Sequence, residues 1–251
     1  MGFPNGTPAI LAVSPDQHPF LMQAIQIQTV NLNLLPQKAI YLPAHNSLLV
    51  SDVHLGKAET FQSFGIPIAN PINQHTLDRL SALCHTWKPD HLFILGDLFH
   101  AKQGLVDEVI NSWLRFLNDV QIQVHLLLGN HDRPMSDDLQ QLSIDCCTRP
   151  IQLADDLVLS HEPHAYGSSL NICGHVHPCV NLKTRLDQLR LPCFFHEVGI
   201  NRLTLPAFGE FTGGYTVRLG REDVAYAIAE DAIIPFEGTS PSQPDFNRDV
   251  V

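Results

Sequence analysis

Four stretches of the chain run apolar and then stop at residues that can bind metal or move protons. Leu48 to Val50 leads into Ser51-Asp52-Val53-His54, and Leu92 to Leu95 into Gly96-Asp97. Val124 to Leu128, broken only by His125, leads into Gly129-Asn130-His131-Asp132, and Leu157 to Leu159 into Ser160-His161. Short apolar runs ended by glycine or polar residues predict buried strands entering loops. Two helical patterns lie between them. After Asn70-Pro71 and before Pro89, Leu77, Leu80, Leu83, Cys84 and Trp87 recur at three- and four-residue steps; Val106, Val109, Ile110, Trp113, Leu117 and Val120 form a second such face. The order strand-helix-strand-helix-strand predicts parallel crossover units, whose ligands sit at the carboxyl ends of the strands. One site fed by several strands is the expectation.

The flanking pattern is weaker. Ala24 to Val30 alternates as a half-exposed strand, and Ala39–Leu42 with Ser47–Val50 reads as a hairpin through Pro43-Ala44-His45-Asn46. Lys57 to Asn70, with Gly65 and Pro67, is a loop or broken helix, and Met135 to Leu142 at most a short helix. Leu157–Ser160, Leu170–Cys173, Phe194–Val198, Arg202–Leu205, Tyr215–Leu219 and Val224–Ile228 predict short strands of a second, more antiparallel sheet, with Gly213-Gly214 as a turn and Lys183–Leu191 polar and surface-facing. Residues 1–21, with four prolines and no basic residue, are expected to be a disordered extension, as is the tail 236–251, leaving one folded domain over 22–235.

Composition narrows the class. A chain of 251 residues can bury a substantial core, and its formal charge of −11 makes contact with a nucleic-acid backbone depend on a local basic patch or on bound cations. Six cysteines with no C-x-x-C pair read as free thiols of a reducing, cytoplasmic protein. No signal-peptide pattern and no membrane-length apolar run occurs. The 14 histidines are an excess that metal or proton chemistry could use.

The candidate metal ligands are Asp52, His54, Asp97, Asn130, His161, His175 and His177: two carboxylates, an amide oxygen and four imidazoles, with no thiolate. Such ligands suit Mn²⁺, Fe or Zn²⁺ in a catalytic rather than a structural site. Seven are too many for one transition metal and suffice for two if a carboxylate bridges. Two cations about 3.5–4 Å apart clamp an in-line displacement at phosphorus. Plainer readings stand beside this one. Gly96 and Gly129 also serve as strand-end turns, Asp132 as a helix N-cap before Arg133-Pro134, His100 as a hydrogen-bonded loop residue, and His164 as a surface residue.

In order, Asp52-Val53-His54, Gly96-Asp97-Leu98-Phe99-His100, Gly129-Asn130-His131-Asp132, His161 and Gly174-His175-Val176-His177 resemble the motifs of the calcineurin-like metallophosphoesterase superfamily. The resemblance implies a four-layer α/β/β/α sandwich of two mixed sheets flanked by helices. It places one metal on Asp52, His54, Asp97 and His177, and the other on Asp97, Asn130, His161 and His175. It further implies attack by a metal-bridging hydroxide, His131 as general acid, Asp132 as the residue orienting its ring, and His100 supporting it. A narrower likeness rests on Leu34-Leu35-Pro36-Gln37-Lys38-Ala39, Ser51 to Lys57, His161-Glu162-Pro163, His175 to Pro178, Leu205 to Gly209 and Phe211 to Gly214. These resemble the bacterial ligase-associated phosphoesterase family called PdeM. That likeness implies a Mn²⁺-dependent phosphodiesterase or endonuclease acting on DNA, associated with a DNA ligase and a helicase, and leaves the oligomeric state open, a homodimer included. Lys57, Lys102 and Arg185 are the candidate phosphate contacts, with Lys183, Arg190 and Arg202 behind them. The alternatives are a phosphatase or phosphodiesterase of small nucleotides or other phosphoesters, and a metal-free scaffold or binding protein. The segment after Asp97 lacks the arginine that protein phosphatases of the superfamily use on a monoester dianion.

Overall fold

The computed structural model describes residues 22–68, 72–140, 142, 144–183, 188–210 and 212–238. Residues 1–21, Asn70-Pro71, Arg185 and the tail beyond 238 lie outside them. One mixed sheet holds β1 (Gln23–Ile27), β2 (Val30–Leu35), β3 (Ala39–Leu42), β4 (Ser47–Val50), β5 (His91–Ile94), β6 (Gln123–Leu127) and β7 (Asp145–Cys147), side by side in that order. Strands β1 to β4 pair antiparallel and β4 to β7 parallel. Helices α1 (Lys57–Ser63) and α2 (Ile72–Trp87) follow β4, α3 (Asp107–Val120) joins β5 to β6, and α4 (Ser136–Leu139) precedes β7. The second sheet holds β8 (Ile151–Ala154), β9 (Leu157–Leu159), β10 (Leu170–Cys173), β11 (Pro178–Lys183), β12 (Gln188–Glu197), β13 (Arg202–Thr204), β14 (Tyr215–Thr216), β15 (Val224–Ala229) and β16 (Ala232–Glu237). Its order is β14-β11-β12-β13-β10-β9-β8, with β15 on β12 and β16 on β15. Strand β10 runs parallel to both β9 and β13.

The uninterrupted apolar runs mark strands buried on both faces, as parallel sheets require. Successive side chains point to opposite faces. Leu48, Val50, Leu92, Ile94, Val124 and Leu126 therefore meet α2 and α3, while Leu49, Phe93, Leu95 and Leu127 meet Leu157, Leu159, Leu170 and Ile172 of the second sheet. Helix α2 contributes Leu77, Leu80, Leu83 and Trp87 to the first of these cores, and α3 contributes Val109, Trp113 and Phe116. The mixed α/β architecture of two mixed sheets with flanking helices is the one observed. Among the described residues all four α-helices precede β7, and the outer face of the second sheet is closed by a small cluster around Val180, Cys193, Phe195, Ala225 and Ala227.

Several elements differ from the sequence pattern. Ala24–Val30 is not one strand: the chain turns at Gln28-Thr29, Ile27 pairs with Val30, and β2 returns. Gln28 sits at φ 53 where such turns ordinarily carry Gly or Asn. Replacing it with Asn should raise the free energy of unfolding in urea by several tenths of a kcal/mol, because Asn tolerates left-handed backbone better; a lower stability would contradict that account of the turn. Lys57–Ser63 is a short helix. Val106, expected on the apolar face, is the exposed N-cap of α3, and Phe116 is buried instead. Of the polar Lys183–Leu191 stretch, Lys183 ends β11 and Gln188–Leu191 begin β12, which pair antiparallel, and Tyr215–Leu219 keeps only two strand residues. Phe236 and Glu237, assigned to the tail, end β16.

Candidate metal centre

Strands β4 and β5 keep pairing beyond their last ladder residues. Asp52 N donates to Gly96 O (3.0 Å), His54 N to Asp97 O (2.9 Å), Leu55 N to Leu98 O (2.8 Å) and His100 N to Leu55 O (2.9 Å). The second sheet reaches the same place. Gly174 N donates to His161 O (3.1 Å), and the segment after β13 clamps the first motif from the side, Phe208 N on Ser51 O (2.8 Å) and Gly209 N on Asp52 O (3.0 Å). These bonds hold strained backbone. Asp52 (φ 56), His54 (53), Asp97 (54), His175 (70) and His177 (53) are all left-handed without being glycine. Such positions cost roughly 1–3 kcal/mol each and collect at functional sites.

Two of the motif glycines are required by space. A Cβ on Gly96, itself at φ +86, would fall 2.0 Å from His161 Nδ1. A Cβ on Gly129 would fall 2.1 Å from Asp97 Oδ1. Gly129 does not have a positive φ, so close approach of a ligand side chain, not a sharp turn, explains it.

The structure brings the expected ligands into two adjoining groups. Asp52, His54 and His177 have ligand atoms within 4.8 Å of one another, as do Asp97, His161 and His175. Asn130 Oδ1 is 3.1 Å from His161 Nε2, and Asp97 Oδ2 is 3.6 Å from it. His161 donates through Nδ1 to Leu95 O (2.8 Å), which leaves the Nε2 lone pair facing those two oxygens. A main-chain carbonyl on the far nitrogen is the usual device that orients an imidazole toward a metal. His177 has the same arrangement: Nδ1 lies 3.1 Å from Gly213 O, and Nε2 is 2.9 Å from Asp52 Oδ1. That approach is an ion-pair contact in which, against burial, Asp52 raises the pKa of the ring; no hydrogen bond of normal geometry reaches the fully buried Asp52 Oδ1. Buried polar atoms are rarely left so, and a shared cation satisfies both partners.

Electrostatics agree. Burial lowers the pKa of His54 to about 3 against the pull of Asp52, keeping the ring neutral and able to ligate. Burial raises Asp97 despite His161 and His131, marking a carboxylate short of positive charge. For Asp52 burial acts upward too, but the facing His177 ring, then His161 and Ser51, outweigh it and hold the carboxyl below its usual range. The oxygen and imidazole donors fit two divalent cations, with Asp97 next to both groups.

His131 N donates to Asp97 Oδ1 (2.9 Å), and its ring Nδ1 lies 2.6 Å from His100 O. The His100 ring stacks on it, centroids 5.0 Å apart at 22°, and Phe61 backs His100. Burial, with Lys57 and His131, lowers His100 to about 4, so this ring too is neutral. Asp132 does not orient the His131 ring, contrary to expectation, and although it precedes the 3-10 turn Arg133–Met135 at the N-cap position, its side chain makes no capping bond there. Its buried carboxylate accepts from the main-chain N–H groups of Asp97 (2.6 Å), Gly129 (3.0 Å) and Phe99 (3.3 Å), tying the second motif to the third. Asp132→Asn should therefore lower the urea unfolding free energy by about 1–3 kcal/mol, the cost of turning an amide toward N–H donors. Unchanged stability with a shifted pH–rate profile would restore the orienting role.

Lys57 is half-buried and shares a cavity of about 370 Å³ with His54, His100, His131 and His177. Lys102 is turned away and paired with Asp138 (3.0 Å). Arg202 is paired with Glu197. Sequence reasoning missed Ser51, whose buried hydroxyl lies 2.6 Å from Asp52 Oδ2 and 2.8 Å from Leu95 O. It also left Phe208-Gly209 without a structural role; Arg79, stacked 4.3 Å over the Phe208 ring, secures that clamp.

The model of the calcineurin-like phosphoesterase family matches residues 46–197. The crystal structure of Pseudomonas putida nuclease MPE is 34% identical, over 86% of this chain and 100% of that one, with a TM-score of 0.73. AQ665 of Aquifex aeolicus, a protein of unknown function, is 19% identical over 52% of this chain and 78% of that one, with a TM-score of 0.38, too remote to argue from. No curated protein matches. The matched span contains both carboxylates, the asparagine and all four imidazoles of the centre, and this chain belongs to the calcineurin-like phosphoesterase family.

Proposed function

We propose that the chain is a metal-dependent phosphodiesterase that cuts nucleic-acid strands, a DNA-repair nuclease with Mn²⁺ as its working metal. The observation that carries this reading is the buried Asp52 carboxylate held 2.9 Å from His177 Nε2 without a normal hydrogen bond, in a centre whose second ligand group is reached through Asp97 and whose open side is lined by His131. When bound, two divalent cations neutralise phosphoryl charge and make a water nucleophilic near neutral pH. The chain's own residues do the rest. Asp97 Oδ1 and His100 O position His131 at the main chain and at the ring, respectively. With Nδ1 committed to His100, Nε2 is the atom left to hand a proton to the leaving oxygen. Lys57 offers positive charge to the phosphate, and no described residue of the cavity lining is an arginine, which suits a diester monoanion better than a monoester dianion.

Likeness to a nuclease of 34% identity supports nucleic acid as the substrate. Association with a DNA ligase and a helicase is part of the same reading. A cytoplasmic site of action accords with six free cysteines, and no described helix is long and apolar enough to cross a membrane. The test compares a nitrophenyl phosphodiester, the corresponding monoester, and single- and double-stranded DNA, each with Mn²⁺, Fe²⁺ or Zn²⁺. Diester and DNA turnover, greatest with Mn²⁺, is expected. Monoester turnover without diester turnover would sink the proposal.

A further inference from the structure

A second hollow of about 280 Å³ opens beyond His177 and shares His177, Thr212, Gly213 and Gly214 with the cavity that faces the metal centre. Lys38 and Arg190 line it, and no described lining residue is acidic. In a chain with 26 Asp and Glu against 15 Lys and Arg, two cations without an acid around one hollow is a local reversal of charge. Neither side chain makes an ion pair with a carboxylate among the described residues, whereas Lys102, Arg79, Arg133 and Arg202 all do. Lys38, Arg190 and the Cys179 thiol line this one hollow, so the two cations face the same space. Lys38 is half-buried on the left-handed turn between β2 and β3 (φ 66), which fixes its stem beside the hollow. Burial and the neighbouring Arg79 guanidinium lower its pKa, with Glu210 acting in the opposite sense without forming an ion pair with it. The floor is close-fitting: a Cβ on Gly214 would fall 2.1 Å from Cys179 Sγ.

We infer that Lys38 and Arg190 form a subsite for a second phosphate of the substrate, the one next in the strand to the phosphodiester held at the metal centre. The inference rests on the phosphodiesterase reading and deepens it: the preferred substrate is a polyanionic strand rather than an isolated diester. A one-phosphate diester fills only the cavity at the metals. A strand running past His177 reaches the hollow, where two cations replace the water and counterions around its next phosphate.

The test uses the full, metal-loaded chain and the variants Lys38→Gln, Arg190→Gln and the pair. Gln keeps most of each stem, and Arg190 is exposed, so Arg190→Gln guards against a folding artefact at Lys38. The reading is the ratio of kcat/KM for single-stranded oligothymidylate to that for bis(p-nitrophenyl) phosphate. Each single variant should lower the ratio several-fold, and the pair tenfold or more, through KM for the oligonucleotide. The log–log salt dependence of oligonucleotide binding should become shallower by about 0.7 for each lost contact. An unchanged ratio would overturn the subsite. If the unsubstituted chain turns over neither substrate, the phosphodiesterase reading fails by itself. Fluorescence anisotropy of a labelled oligothymidylate then decides the subsite, which stands if the pair binds at least fivefold more weakly and falls if affinity is unchanged.

Discussion

Asp97→Ala is expected to abolish phosphodiester turnover, by at least about 10³-fold in kcat/KM, and to reduce bound metal from two ions per chain to one or none. The magnitude follows from the several kcal/mol of charge stabilisation that a cation supplies to a phosphoryl transition state. Three features make this position the most sensitive one. Its carboxylate is buried and stands 3.6 Å from His161 on the side of one ligand group, while its backbone carbonyl accepts from His54 of the other. Its Oδ1 also holds the main chain of His131. Finally, Gly129 lacks a side chain where that oxygen comes closest. Removing the carboxylate takes away a ligand, a negative charge and the anchor of the third motif together. The check is metal content by elemental analysis alongside the diester assay, with circular dichroism to show that the sheets remain. Two ions per chain and undiminished turnover in the variant would refute the dinuclear centre.

The centre was legible in the sequence because strands buried on both faces appear as unbroken apolar runs, and the first polar residue after such a run sits at the carboxyl edge of the sheet. Leu48–Val50, Leu92–Leu95 and Val124–Leu128 each point in this way to a residue of the candidate centre. What the pattern does not encode is direction. Asp132 follows His131 directly, and the family resemblance implied that the carboxylate serves the ring. The chain turns between them, so the carboxylate reaches back to the main-chain N–H groups of the second motif, and the ring meets a carbonyl instead. Lys38 entered only as part of the Leu34–Ala39 likeness, with no role of its own, because a lysine beside a proline-marked turn has no local pattern that gives it one. Its value comes from β11 and β12, about 140 residues later in the chain, which supply the rest of the hollow. Edge elements were the other blind spot. Asp145-Cys146-Cys147 has no apolar period, yet pairs parallel with β6 and completes the sheet. The Gln28-Thr29 hairpin lacks the glycine or asparagine that would mark it.

His131→Ala should slow cleavage of a DNA strand by about 10² to 10⁴, the contribution of a positioned acid–base group, while leaving metal content unchanged. The two halves of this expectation separate proton donor from ligand. His131 does lie near ligand atoms: with His54 and His100 it forms a third cluster within 4.8 Å. Its Nδ1, however, is taken by His100 O at 2.6 Å, and its main chain by Asp97. Those two contacts fix the ring without a metal, as a group that must meet a leaving oxygen requires. The leaving group provides the sharper discrimination. A sugar alkoxide is a poor leaving group and needs protonation as the P–O bond breaks, whereas nitrophenolate leaves with little help. The loss in His131→Ala should therefore be large on DNA and much smaller on bis(p-nitrophenyl) phosphate. Equal losses on both substrates, accompanied by a fall in bound metal, would make His131 a ligand. The three-histidine cluster would then be the part of the site that does the binding.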